Sequence, residues 1–181
     1  MVEPAAHPEA RGILRQWVSS ASVWSATTKH LQESGDMGSM QLWVVALYLC
    51  VNFVCLIIEG RPEIKGKPGV CIPGDPQAAA SCPIPLDQLH ALRTRAKKLR
   101  DEVMHFWEKD DTGREISIHF EPGSVTYRSS VGHKDLAFES ITRAEVAQFL
   151  DTLGPWLHRQ WQLSVEEQFG LDEDSVKALD H

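Results

Sequence analysis

Residues 40–59 read Met-Gln-Leu-Trp-Val-Val-Ala-Leu-Tyr-Leu-Cys-Val-Asn-Phe-Val-Cys-Leu-Ile-Ile-Glu. Only Gln41 and Asn52 interrupt the apolar run before Glu59. A buried strand ends after about 4–8 residues, so a run of this length reads as a helix. It falls at the lower edge of membrane-spanning length. A helix that is apolar all round fits either the centre of a helical bundle or a bilayer. Asn52 in mid-run favours the bundle. So do the amphipathic segments on either side, which need a core to pack against. A mainly α fold follows; a single membrane anchor through 40–58 is the competing reading.

Upstream, residues 1–10 carry two prolines and read as a disordered N-terminus. From Arg11 to Leu31, apolar residues recur at helical spacing: Ile13, Leu14, Trp17, Val18, Ala21, Trp24 and Leu31. Gly35 and Gly38 separate this amphipathic helix from the apolar one. Downstream, Gly60 to Pro85 is a long connection with prolines at 62, 68, 73, 76, 83 and 85, which forbid a long helix. Loops of this length are commonly functional, mobile or both.

Leu86 to Trp107 reads as a second amphipathic helix. Leu86, Leu89, Leu92, Ala96, Leu99, Val103 and Phe106 make its apolar stripe. A second stripe carries His90, Arg93, Lys97, Arg100, Asp101, Met104 and His105 and faces solvent, a ligand or another subunit. Beyond it, Ile116 to Glu121 alternates apolar and polar residues, Pro122-Gly123 turns the chain, and Val125 to Tyr127 returns. This predicts a β-hairpin over 114–128. Thr142-Arg-Ala-Glu145 is a capping box, with Ile141 and Val146 as its hydrophobic staple, and opens a further helix. That helix continues past Gly154-Pro155 with a kink. Ser164-Val-Glu-Glu167 is a candidate cap for a last short helix, and 163–181 reads as an acidic tail or short helix. The expected organisation is one helical domain over 11–162 with an appended hairpin and C-terminal helix.

The chain has 181 residues, an apolar fraction of 43% and a formal net charge of −7, so it can bury a core. The acidic balance excludes a general nucleic-acid binder; any RNA contact must come from a local basic patch. Cys50 and Cys55 lie inside the apolar run and read as buried thiols. Cys71 and Cys82 flank the Pro/Gly-rich connection and are the two that could pair. The N-terminus lacks the early basic region and apolar run of a signal peptide, so a cytoplasmic location is expected. No G-x-S-x-G, P-loop or paired Cys/His spacing points to a serine hydrolase, a nucleotide site or a zinc site. Neither a metal nor a cofactor is expected.

The chemistry-bearing stretch is Leu99 to Phe106, Leu-Arg-Asp-Glu-Val-Met-His-Phe. Arg100 is followed by Asp101, and four residues separate Arg100 from His105. The same spacing recurs at Arg114/His119 and Arg128/His133, but the first lies in a strand pattern and the second crosses a turn-like stretch. Only Arg100 and His105 lie in a strong helical pattern, about 140° apart on the wheel, so they flank the polar stripe. A single centre is easier to build from two copies of this helix. Arg93-Thr-Arg-Ala-Lys-Lys-Leu-Arg100 places five cations in eight residues. A solvated face and a phosphate-binding face are both open to it.

A long apolar helix, an irregular connection and a helix ending in arginine, a polar residue and histidine resemble the HEPN superfamily over roughly residues 38–110. Many of its members are compact helical, metal-independent endoribonucleases. The resemblance implies a homodimer whose motif helices meet in one composite site. It implies catalytic roles for Arg100 and His105, with Asp101 orienting one of them. Arg93, Lys97 and Lys98 would hold the RNA backbone. Such proteins often serve as toxins or phage-defence effectors held by an antitoxin or other regulatory partner. Other members are non-catalytic binding or regulatory modules.

Overall fold

The computed structural model describes residues 8–33, 37–61, 71–104, 114–121, 123–131 and 134–170. Helices α1 (Pro8–Glu33) and α2 (Met37–Glu59) follow one another and pack together. Trp17, Val18 and Ala21 of α1 are buried, as are Trp43, Val44, Leu47, Cys50, Val51, Val54 and Cys55 of α2. Each fully buried side chain of this size contributes about 1.5–3 kcal/mol relative to exposure. α2 is apolar on most sides because α1 and α4 (Leu86–Met104) both pack on it. It is long and apolar enough to cross a membrane, yet the chain itself buries half of that stretch.

The helices run antiparallel to their neighbours. Tyr48 and Glu59 of α2 meet Arg100 and His90 of α4, respectively. α5 (Arg143–Phe169) packs on α1 with Arg11 2.9 Å from Glu167 at one end and Lys29 4.0 Å from Asp151 nearer the other. The order across the bundle is therefore α4, α2, α1, α5.

The connection after α2 folds back on the end of that helix. Strands β1 (Gly60–Arg61) and β2 (Ile72–Pro73) pair antiparallel. The Asp75 amide then donates to the Ile57 carbonyl at 2.8 Å. Asp75 also caps α3 (Pro76–Ser81), its carboxylate accepting from the Gln77 and Ala78 amides, with Pro76 opening the helix. Gly60 has φ 78°, and an added Cβ would lie 2.1 Å from the Ile72 carbonyl oxygen. Only glycine fits there without moving backbone. The described part of this connection thus delivers α4 to α2 in a fixed register.

The expected hairpin is present and is extended by a third strand. β3 (Arg114–Glu121), β4 (Ser124–Val131) and β5 (Lys134–Thr142) form an antiparallel meander, with Val125 opposite Ile141 and Ile118 opposite Tyr127. Val125, Tyr127 and Ile141 are buried. Thr142 caps α5, its Oγ1 accepting from the Glu145 amide at 3.1 Å. The reciprocal half of the predicted box is diverted, because the Glu145 carboxylate takes Arg95 of α4. Ser164 is no cap either: its Oγ donates to the Trp161 carbonyl at 2.7 Å inside α5. The helix runs on to Phe169 and stops at left-handed Gly170. The disordered reading of 1–10 lies outside the described residues except at 8–10, which belong to α1. The tail beyond 170 lies outside them too.

Candidate functional site

α4 buries Leu89, Leu92, Ala96 and Leu99 of the predicted apolar stripe but leaves Leu86 at its start exposed, and turns its charged stripe outward. This leaves Arg100 and Asp101 half-buried near its C-terminal end. Arg100 is held in two ways. Its guanidinium carbon sits 3.9 Å from the centroid of the Tyr48 ring on α2. Its Nε donates to Asp101 Oδ1 at 2.8 Å, and its Nη2 reaches the same oxygen. Asp101 Oδ2 accepts from Lys97 Nζ at 2.9 Å. Partial burial alone would push the Asp101 carboxyl up. Lys97 and Arg100 outweigh it and hold the carboxyl below its usual range. His105 lies outside the described residues, so its distance from Arg100 is not part of this geometry.

Every cation of the basic run has an acidic partner in the chain. Arg93 lies 3.8 Å from Glu59, and Lys97 pairs with Asp101. Lys98 reaches Glu139 at 3.2 Å and stands 5.1 Å over the Tyr127 ring. Arg95 grips Glu145 and donates to the Ser140 carbonyl at 3.1 Å. Arg100 takes Asp101. The run therefore also ties α4 to α2, to the sheet and to the start of α5.

α2 carries a face that the described residues bury only in part. Leu42, Val45, Leu49, Asn52 and Leu56 recur at alternate steps of three and four. None of them is buried, and Leu42 is 60% exposed. That is the spacing of a coiled-coil seam, about 21 Å long at 1.5 Å per residue. Tyr48, carrying Arg100, flanks it.

Two further features escaped the sequence reading. Cys55 and Glu59, one turn apart on α2, meet His90 of α4, with one donor atom from each within 4.8 Å of the others. The helical spacing of Cys55 and Glu59 was visible, but nothing local foretold His90 as their neighbour. The second feature is a cleft of about 740 Å³ among α1, α3 and α5, lined by Arg11, Arg15, Asp75, Ser81 and Arg159 among others. None of its lining residues belongs to α4. Cys71 and Cys82 are free thiols, as are Cys50 and Cys55.

Compared with known proteins, the chain matches no protein family, no curated protein and no solved structure.

Proposed function

We propose that the chain forms a homodimer through the seam of α2 and the adjoining stripe of α4, and that the composite face is a metal-independent endoribonuclease centre of the HEPN type. One observation carries this reading. Asp101 fixes Arg100 on the Tyr48 ring beside a partly exposed apolar seam, which is where a two-fold partner would bring a second arginine. In the reaction an RNA 2′-hydroxyl attacks the adjacent phosphorus and the P–O5′ bond breaks. The products are a 2′,3′-cyclic phosphate and a 5′-hydroxyl. One His105 takes the proton of the attacking hydroxyl, and the partner subunit's His105 gives one to the leaving oxygen. Arg100 stabilises the charge gathering on the phosphorane oxygens. Arg93, Lys97 and Lys98 contribute the RNA-facing charge, and an antitoxin or other regulatory protein is the kind of partner that would hold this activity in check.

A second reading has its own observation. Because each cation of the run is already neutralised by Glu59, Asp101, Glu139 or Glu145, the same dimer would serve as a non-catalytic binding module. The deciding experiment incubates purified protein with mixed RNA in EDTA and compares wild type with Arg100→Ala and His105→Ala. Cleavage by wild type alone, leaving cyclic phosphate ends, supports the nuclease. A stable dimer by light scattering with no cleavage overturns it in favour of the module.

A further inference from the structure

Away from Arg100, the facing ends of α2 and α4 carry three unlike donor groups in one place. Cys55 and Glu59 stand at i and i+4 on α2, so helical geometry stacks them on one face. His90 enters from the first half of α4, positioned by the β1–β2 ladder and the α3 cap that hold the connection. Its Nε2 lies 2.9 Å from Glu59 Oε2. The two nevertheless make no hydrogen bond, and this nitrogen is shielded from solvent with no hydrogen-bond partner among the described residues. A buried, unsatisfied imidazole nitrogen turned into a thiol and a carboxylate needs an explanation beyond an ion pair.

We infer that Cys55 Sγ, Glu59 carboxylate and His90 Nε2 form a zinc-binding site. The donor set is one that zinc accepts, with about 2.3 Å to sulfur and 2.0–2.2 Å to nitrogen and oxygen. Tetrahedral bonds of those lengths separate the donors by about 3.3–3.6 Å. The three atoms already lie within 4.8 Å of one another, so small side-chain adjustments bring them to those edges. Cys55 is fully buried and His90 Nε2 is shielded, while the Glu59 side chain is about a third exposed, so an open fourth position would be reached from the Glu59 side.

The charges close as well. A dication bound by one thiolate and one carboxylate is neutral, so the neighbouring Arg93 meets no net repulsion. Burial pushes the Cys55 thiol up, and the neighbouring Arg93 works against that by favouring the thiolate. In that role Arg93 supports the ligand rather than occupying the site. Bound zinc displaces the thiol proton and pins α2 to α4 at the end where the irregular connection leaves the bundle. The inference is independent of the nuclease reading, which is tested in EDTA.

The test strips the full-length protein of metal and titrates it with cobalt(II) alone, then with zinc alone. One cobalt per chain with a sulfur-to-cobalt charge-transfer band and tetrahedral visible bands is expected, displaced by zinc. Cys55→Ser should lose the charge-transfer band. His90→Gln and Glu59→Gln, at partly exposed positions that leave the fold intact, should each weaken binding at least tenfold. Absence of stoichiometric cobalt binding by the folded wild type overturns the site. Binding unchanged in His90→Gln overturns it equally, and that variant decides the matter if Cys55→Ser does not fold.

Discussion

The Arg100 guanidinium rests over the Tyr48 ring, 3.9 Å from its centroid, and Asp101 holds it there through a forked hydrogen bond. The pair joins the charged stripe of α4 to the edge of α2. It makes Asp101 the group that sets where the arginine points.

Asp101 should therefore behave as an acid-sensitive clamp. Its carboxyl is held low in the folded chain by Lys97 and Arg100, against the upward push of partial burial. A depressed carboxyl contributes stability above its unfolded pKa and loses it as pH falls through the folded value. Asp101→Asn should cost about 0.5–1 kcal/mol at pH 7, as expected of a partly exposed pair. The difference from wild type should vanish in strong acid. Urea midpoints of both proteins at pH 7 and pH 3 check this; equal gaps at the two pH values contradict it.

At the alkaline end the thiols of α2 take over. Burial, above all, pushes Cys50 to about 12 and Cys55 to about 11. An unfolded thiol titrates near 8.5–9, so between there and the folded values the unfolded chain has lost protons that the native state keeps. Stability should fall by about 1.4 kcal/mol per pH unit for each thiol in that window. Cys50→Ala, less stable at pH 8, should show a shallower decline up to pH 10.5 in EDTA. Parallel declines for wild type and variant, followed by urea unfolding, defeat the argument.

A pair of glycines, one in the folded-back connection and one inside α1, tests that connection. At Gly60 a methyl group would meet backbone at 2.1 Å and the positive φ disfavours any side chain. At Gly12, inside α1, it meets nothing within 4 Å. Gly60→Ala should cost more than about 2 kcal/mol, combining left-handed strain with displaced backbone. Gly12→Ala should stabilise by about 0.5–1 kcal/mol through helix propensity. Thermal melts separate them; equal shifts would mean that the Gly60 loop simply relaxes.

Much of this architecture was legible because periodicity is a local property. The apolar stripes of α1 and α4, the apolar run of α2, the hairpin and the Thr142 cap all follow from spacing within one element. The third strand was missed because Lys134 to Thr142 lacks a clean alternation and is fixed by pairing with β4, a nonlocal event. The fate of Glu145 was hidden for the same reason: the capping box competes with Arg95, about fifty residues away, and the charged pair wins. The motif residues Arg100 and Asp101 were visible as letters, but Tyr48 as their support was not. The Cys55, Glu59 and His90 cluster depends on how the Pro/Gly-rich connection sets α4 against α2, which no window of sequence contains.

The partly exposed face of α2 makes the last prediction. Leu42, Val45, Leu49, Asn52 and Leu56 follow the three-four step of a self-complementary seam, and Asn52 is its one polar member. A polar residue in such a seam costs stability and fixes register. Leu49→Glu places a charge in the middle of that seam without touching a fully buried position, so it should yield a folded monomer with unchanged helical circular dichroism. Asn52→Leu should tighten association, since it replaces the polar member with an apolar one, and raise the melting temperature at equal protein concentration. Sedimentation equilibrium measures both. If all three proteins sediment as the same monomer, α2 is not the dimer seam, and the two arginines of the composite site have no means of meeting there.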